Sequence, residues 1–536
     1  MLDGQCGGGN RHLFQDIPKI TEYTMTSKAA LEHAEFAAAI EARRTQPPAI
    51  MPHVVSGADY FEGELLLREN PSDTAWTVSG CHDAPTDLVE KAVADAKRAQ
   101  RGWAALSLAD RLEHVAKAIP FVQARTSEWA VRVALETAKP RGAALAEGGE
   151  VLELLRSYIR YASAPGAFED ERFPDPSGCS SVSILRPYGV FGVISPFNYP
   201  IVQAASAAIA ALIAGNGVVI KTSHLGPWSG HAVYEMCKAM DLPVGLVNIV
   251  HGEDKPGKAL VAGGVDGVSF TGSVRVGMAI INYMNSGAYP RPVIAEMGGK
   301  NPVIVTDDAD LEAAAAGIVF SAFDLSGQKC SALSRVLVTP GAHDRLVERV
   351  VEKASAIAVG APEIDGSYSG ALIDKEAFAR FNAIVAQAKT EGFVVSGGET
   401  FDPKGYFVKP AVVSGLSAAH ELAIREHFAP FLAICKVASF EEALEVANAS
   451  DMGLTAGLYT ASPDEAKNFL AEIEAGCVNV NIAGHATTGW WPGPQTFGGW
   501  KASGSTGKHA LGKWYIAQFA RQQARKVPAE LSYLVI

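Results

Sequence analysis

Apolar residues recur every three or four positions over 88–103, 111–139 and 150–161. That is the period of a helix with one face in a core, so three long amphipathic helices are predicted there. Glycine, proline and serine over 165–181 mark a connection, after which the pattern changes. Short β-branched runs over 189–194, 218–221, 246–250 and 265–270 alternate with helix-period stretches over 201–213, 230–240 and 276–284. A second series follows: strand 302–306, helix 311–323, strand 335–339 and helix 343–356, then helix 440–449, strand 454–459, helix 462–475 and strand 477–481. Strands alternating with helices at this spacing predict βαβ units. The expected fold class is α/β, with two doubly wound domains in series that meet near 295–299. A ligand belongs in the crevice at the carboxyl ends of their strands.

Composition narrows the function. The chain has 536 residues, 48% hydrophobic and 19% charged, which describes a globular protein of more than one domain. Its net charge is −12 and no lysine or arginine run interrupts it, so neither nucleic acid nor an anionic membrane is an expected partner. Seven scattered cysteines lack CxxC or Cys/His ligand spacing, which predicts free thiols in a reducing cytoplasm and no metal site. Cys6, Cys81, Cys179, Cys237, Cys435 and Cys477 read as structural or incidental. Residues 1–26 carry no basic segment followed by an apolar one, and no run of about 18 apolar residues occurs. The glycine-rich stretch 4–10 reads as a flexible start, and Met25 is an alternative initiator.

Candidate chemistry centres on Gly327-Gln328-Lys329-Cys330-Ser331, preceded by Glu296-Met297-Gly298-Gly299-Lys300-Asn301-Pro302. A cysteine between small and polar residues, with a carboxylate on its own glycine turn, points to a thiol nucleophile and a base. A free thiol with a pKa near ~8.5 is only slightly ionised at neutral pH. A carboxylate can take the thiol proton and later activate water, worth typically ~10²–10⁴-fold. Cys330 alone also fits a buried inert thiol.

Ser195-Pro196-Phe197-Asn198-Tyr199-Pro200 follows a buried strand and opens a helix. Asn198 fits an oxyanion donor there, worth about 2.7–4 kcal/mol, or a helix N-cap. Lys221-Thr222-Ser223 and Phe270-Thr271-Gly272-Ser273, the latter leading into Gly277, close two further strands. Each sets a cation, hydroxyls or helix amides where a phosphate can sit, although neither is a GxGxxG and turn chemistry accounts for each equally well.

Together and in this order, these segments resemble the aldehyde dehydrogenase superfamily over about 55–524. Further matching motifs are Glu426–Pro430, Gly453-Leu454-Thr455, 476–481 and Phe497-Gly498-Gly499. The resemblance implies oxidation of a small-molecule aldehyde to a carboxylate with NAD or NADP. By it, Cys330 forms a thiohemiacetal whose oxyanion is held by the Asn198 side chain and the Cys330 N–H. Hydride passes to the nicotinamide, and Glu296 activates the water that hydrolyses the thioester. Ser195, Pro196 and Phe197 line the cofactor cleft. Lys221, with Ser223 and His224, lies at the adenosine ribose. Phe270, Gly272, Ser273 and Gly277 lie at the pyrophosphate, and Glu426 and Phe428 at the nicotinamide ribose and ring.

The implied domains are an N-terminal extension over 1–54, a cofactor-binding domain over 55–165 and 187–297, and a β oligomerisation hairpin over 166–186. A catalytic domain follows over 298–486, then a substrate loop and C-terminal oligomerisation tail over 487–536. The resemblance also implies a homodimer or homotetramer.

Within the superfamily the chain resembles the glutamate-semialdehyde (1-pyrroline-5-carboxylate) dehydrogenases through Ser321-Ala322-Phe323, Ser331-Ala332 and Ser334-Arg335. That branch grips the substrate carboxylate with a Thr-Gly-Ala or Thr-Gly-Ser loop and the serine after the cysteine. Here the loop reads Thr488-Gly489-Trp490-Trp491-Pro492-Gly493, with Ser331 and Phe497 retained. Trp490 either shapes a pocket for a bulky or aromatic aldehyde or anchors the loop by packing. Ala429 stands where glycine is usual. His224 stands where NAD-preferring relatives carry an acid, which predicts weak selection between NAD and NADP. Arg335 reads as a structural ion-pair partner, and His485 as a loop residue of open role. From other classes, a cofactor-free thiol ester or thioester hydrolase would use the same Cys330/Glu296 pair but needs no dinucleotide cleft. A silent scaffold would need none of these residues.

Overall fold

The computed structural model describes residues 33–168, 170–173 and 175–535. Two seven-stranded sheets dominate it. In the first, five parallel strands lie in the spatial order Val293–Glu296, Gly267–Thr271, Val190–Ile194, Gly217–Lys221 and Val247–Val250. The antiparallel pair His53–Val55 and Ala58–Tyr60 extends that edge. Chain order therefore reverses between Val190–Ile194 and Gly267–Thr271. This is the switch point at which an open α/β sheet forms its crevice.

Both faces of this sheet are covered. Phe191, Val193, Val218 and Ile220 face one core with helix Val202–Ile213, while Val190, Val219, Val250 and Val268 face another. Period-2 alternation with both faces apolar is why these strands read as continuous hydrophobic runs. The second sheet runs Val394–Gly397, Ala411–Ser414, Phe431–Lys436, Leu333–Val338, Asn301–Val305, Thr455–Tyr459 and Cys477–Val480. It is parallel except for its first pair. Only Met297–Lys300 separate the last strand of the first sheet from Asn301, so that turn lies where the two sheets meet.

A third sheet is antiparallel: Glu171–Phe173, Cys179–Pro187 and, from the far end of the chain, Ala520–Pro528. Among the described residues no helix is long and apolar enough to cross a membrane.

Some expectations are corrected. The single helix expected over 111–139 is three: Leu108–Ala116, Ala118–Gln123 and Thr126–Thr137. Pro120 lacks an N–H and fits only the first turn of a helix, so a new helix starts just before it. The described part of the N-terminal extension expected over 1–54 packs on the first sheet. Helix His33–Arg44 buries Phe36 and Ile40 in the core of the first sheet, and His53–Val55 joins that sheet. Likewise the C-terminal tail is only partly an arm, because Tyr515, Ile516 and Phe519 pack in the same core before Ala520–Pro528 leaves it. Residues 4–10, Cys6 and Met25 lie outside the described residues.

Candidate active site

The nucleophile candidate follows an unusual turn. Helix Leu311–Phe323 ends at Asp324, and Leu325, Ser326 and Gly327 then take positive φ values of 53°, 54° and 66°. Side-chain-bearing residues seldom adopt this backbone, which the surroundings must hold in place. Ser326 Oγ donates to the Gly370 carbonyl at 2.7 Å, and a Cβ on Gly327 would meet the Ala429 carbonyl oxygen at 2.4 Å. Glycine is therefore needed at 327, and the motif ending Ala429-Pro430 packs directly on the turn. Lys329 is paired with Asp324.

Cys330 follows as a half-buried free thiol. Burial pushes its pKa up to about 12, and the Glu426 and Glu296 carboxylates add to the rise. The N–H groups of Ser331 and Cys330 itself act in the opposite direction. At neutral pH the sulfur is thus held as the thiol.

Asn198 lies across from it. Its Nδ2 donates to the Gln328 carbonyl at 2.9 Å, tying the 195–200 segment to the nucleophile turn. The N-cap reading of Asn198 is excluded, since helix Val202–Ile213 begins after Ile201 and uses no side-chain cap. Among the described residues the Asn198 amide nitrogen makes no other hydrogen bond. Gln328 in turn accepts the Ile373 N–H at 2.9 Å.

Glu296 ends its strand with its carboxylate taking the Gly499 N–H at 3.2 Å. Burial raises its pKa well above the ordinary carboxyl value, against the pull of that one hydrogen bond. This gives Phe497-Gly498-Gly499 a physical task, which is to fix the Glu296 carboxylate. Glu426 accepts the Gly299 N–H at 3.0 Å, and a Cβ on Gly298 would meet its Oε2 at 2.1 Å. The Glu296 turn and the Glu426 loop are therefore in contact through two glycines. Phe197 and Phe428 meet edge to face with centroids 6.0 Å apart, which joins the two cofactor-side motifs.

The phosphate candidates sit at the switch point. Helix Val274–Asn285 starts at Ser273, whose side chain accepts the Val276 N–H, and it points its N-terminus toward the strand ends. A Cβ on Gly272 would strike the Phe270 ring at 2.5 Å, and one on Gly277 would strike Met297 Sδ at 2.3 Å. Those two glycines let this helix start lie close to the Glu296 turn. Ser195, next after strand Val190–Ile194, has a buried hydroxyl without a hydrogen-bond partner among the described residues. An orphan hydroxyl beside a helix N-terminus fits an anionic dinucleotide. Lys221 is buried at its strand end with its pKa lowered to about 8 by desolvation. Ser223 Oγ accepts the Leu225 N–H in a local turn, and His224 lies 3.9 Å from Glu253.

On the substrate side, Ser331 is buried and its carbonyl accepts the Thr487 hydroxyl at 2.9 Å. Ser321 Oγ accepts the Ala486 and Thr487 N–H groups at 2.8 and 3.1 Å, so it clamps the loop that follows. Gly489 has φ 103° and lies against the His485 ring. Trp490 is half-buried and packs on Phe497 with centroids 5.4 Å apart. Trp491 reaches the helix Arg141–Ala162, 3.5 Å from where Gly149 would carry a Cβ.

The expected ion pair of Arg335 is not formed. Among the described residues its buried Nε and Nη2 have no partner, and Lys300 is a neighbouring cation. The cause is its place on a central strand, among strands that offer no carboxylate.

Sequence reasoning passed over two residues that assemble the site. Asn301 Nδ2 donates to the carbonyls of Cys330 and Ala332 at 2.7 and 2.8 Å, and its Oδ1 accepts the Thr455 N–H at 3.1 Å. Ser503 Oγ donates to the Gly298 carbonyl at 2.7 Å and accepts the Gly453 N–H at 3.1 Å. Asn301 lies inside a quoted motif and was legible as a polar residue entering a buried strand. Ser503 carried no local signal.

A family model described as the aldehyde dehydrogenase family matches residues 62–524. This chain belongs to that family. Two relatives are 1-pyrroline-5-carboxylate dehydrogenases. That of Staphylococcus aureus strain MW2 is 31% identical over 482 residues, covering 88% of this chain and 92% of its own. That of Bacillus licheniformis is 33% identical over 481 residues, covering 87% and 90%. A solved 1-pyrroline-5-carboxylate dehydrogenase from Thermus with bound NAD superposes with a TM-score of 0.88 at 29% identity, covering 94% of this chain and 98% of its own. The aldehyde dehydrogenase described here is accordingly an oxidoreductase acting on a small-molecule aldehyde with NAD or NADP.

Proposed function

We propose that Cys330, Glu296 and Asn198 carry the reaction. The Cys330 thiolate adds to the aldehyde carbon, and the carbonyl oxygen becomes an oxyanion held by the free Asn198 N–H and the Cys330 N–H. A nicotinamide, when bound, would accept the hydride that the tetrahedral carbon loses as the oxyanion collapses to the thioester. Water then gives a proton to Glu296 and attacks the resulting thioester, releasing the carboxylate and freeing the sulfur. The observation that carries this reading is the Asn198–Gln328 bond, which sets the oxyanion donor beside a thiol already coupled to the Glu296 charge. Ser195, Pro196, Phe197, Phe270, Gly272, Ser273 and Gly277 would hold the pyrophosphate side. Lys221, Ser223 and His224 would meet the adenosine ribose, with Glu426 and Phe428 at the nicotinamide end.

The substrate we infer is a semialdehyde with a carboxylate tail, gripped by Ser331 and the Gly489 amide. It rests on the relatives' names and on the buried Ser331 beside the nucleophile. A second reading, a bulky or aromatic aldehyde, rests on the Trp490–Phe497 pair in place of a small residue. A panel of glutamate semialdehyde, aliphatic and aromatic aldehydes, followed by NAD(P)H absorbance, separates them by kcat/KM. No turnover on any member, or unchanged turnover after Cys330→Ala, overturns the whole reading.

We further infer a cytoplasmic enzyme whose hairpin and C-terminal strand pair copies into a homodimer or homotetramer. The support is the three-stranded sheet with exposed Phe173 and Leu185. Light scattering giving a mass near the 56.5 kDa of one chain contradicts it.

A further inference from the structure

The acid absent from position 224 has a counterpart on the neighbouring strand. Strands Gly217–Lys221 and Val247–Val250 run parallel with Val250 level with Lys221. His224 is the third residue beyond Lys221, and Glu253 is the third beyond Val250, so the two occupy equivalent places on adjacent strand ends. Their side chains lie 3.9 Å apart. We propose that Glu253 selects NAD over NADP by receiving the hydroxyls of the adenosine ribose and repelling a 2′-phosphate. This rests on the dinucleotide reading above.

The loop is built to hold that carboxylate in place. The Glu253 N–H donates to Asp83 Oδ1 at 3.0 Å. Gly252 has φ 128°, and a Cβ there would meet the same oxygen at 2.2 Å. No side chain fits at 252, so Asp83 closes tightly on the turn and sets the direction in which Glu253 leaves it. Asp83, Glu253 and Asp254 line one side of a cleft of about 520 Å³.

Charge favours the same conclusion. Burial lowers the His224 pKa to about 4, so the ring is neutral at pH 7 and brings no positive charge to Glu253. Lys258, also on the cleft, is engaged by Asp254 at 3.4 Å. Lys255 is the other lysine lining that cleft. It lies on the helix side, whereas Glu253 is the residue that reaches His224. Lys221 senses Asp254, Asp83 and Glu253 as its nearby anions apart from the Cys81 thiol. Lys221 and Arg68 are the cations facing His224, and an added dianionic phosphate there would also meet the Asp83, Glu253 and Asp254 carboxylates. A ribose with free hydroxyls would gain a charge-assisted acceptor.

The test measures binding by thermal shift and calorimetry on the full chain, with NAD, NADP, 5′-AMP and 2′,5′-ADP as probes. The native protein is expected to bind NAD about 100-fold more tightly than NADP, with 5′-AMP and 2′,5′-ADP ranked in the same sense. Glu253→Gln should cut that ratio about tenfold or more, mainly by gaining NADP affinity, and Glu253→Ser should do the same. Raising the salt should narrow the native preference, because the repulsion acts near the surface. Equal or tighter binding of NADP by the native protein, or an unchanged ratio in both Glu253 variants, overturns the assignment alone. Failure of every probe to bind overturns the dinucleotide reading with it.

Discussion

At the scale of single residues, the decisive fact is that burial pushes both proposed reacting groups toward their protonated forms. Desolvation drives the Cys330 thiol to about 12 and lifts Glu296 well above the usual carboxyl range. Both groups must lose a proton to act, so kcat/KM should climb as pH rises through the alkaline range toward about 12. A flat profile over that interval contradicts the assignment. The two roles also separate in time. Glu296→Gln removes the water-activating base but keeps the adduct chemistry. Stopped-flow should then show a burst of NAD(P)H followed by a steady rate reduced about 10²–10⁴-fold. Loss of both phases would mean that Glu296 serves the thiol rather than the water.

Elements decide whether those residues meet. Asn301, where strand Asn301–Val305 begins, holds the Cys330 and Ala332 carbonyls and takes the Thr455 N–H, so one side chain joins three segments. Asn301→Ala leaves a buried N–H and two carbonyls unpaired. A stability loss of about 2–4 kcal/mol in urea unfolding is expected, with kcat falling more than KM rises. Wild-type stability in that variant would remove Asn301 from the account. The βαβ series itself was legible, because buried parallel strands show as β-branched runs whatever surrounds them. Helix Leu311–Phe323 falls where its periodicity put it. The three helices Leu108–Ala116, Ala118–Gln123 and Thr126–Thr137 merged in the reading because their apolar spacing runs through both breaks. Strand Asp73–His82 and helix Lys375–Thr390 went unread.

Across the whole molecule, the first domain carries a stack of buried histidines. His251 lies between His53 and His231, with ring centroids 6.0 and 5.5 Å away, and meets Thr222 Oγ1 at 2.8 Å. Facing groups include Lys221 at His251, His82 and Asp83 at His53, and Arg132 and Asp59 at His231. Burial lowers all three pKa values, that of His231 to about 4. A depressed folded pKa means that the unfolded chain takes the proton first. The stability these rings contribute is present above about 6.5 and is lost as pH falls toward about 4. His231 alone accounts for about 3 kcal/mol over that range. Urea midpoints should drop across it, and His231→Gln should flatten the drop. An acid limb unchanged by that variant points instead to the buried carboxylates.

Local sequence determined the α/β class, the nucleophile and base motifs, and the family, because backbone propensity, burial periodicity and a reactive residue's neighbours are all written within a few positions. It could not determine which distant atoms converge. The Gly499 N–H on Glu296, Ser503 beneath the Gly298 turn, the C-terminal Phe519 in the first core and Glu253 facing His224 each join segments far apart in the chain. Those contacts arise only when two twisted sheets are packed and their strand ends brought level. Geometry of that kind has no one-dimensional signature, so tertiary structure alone decided it.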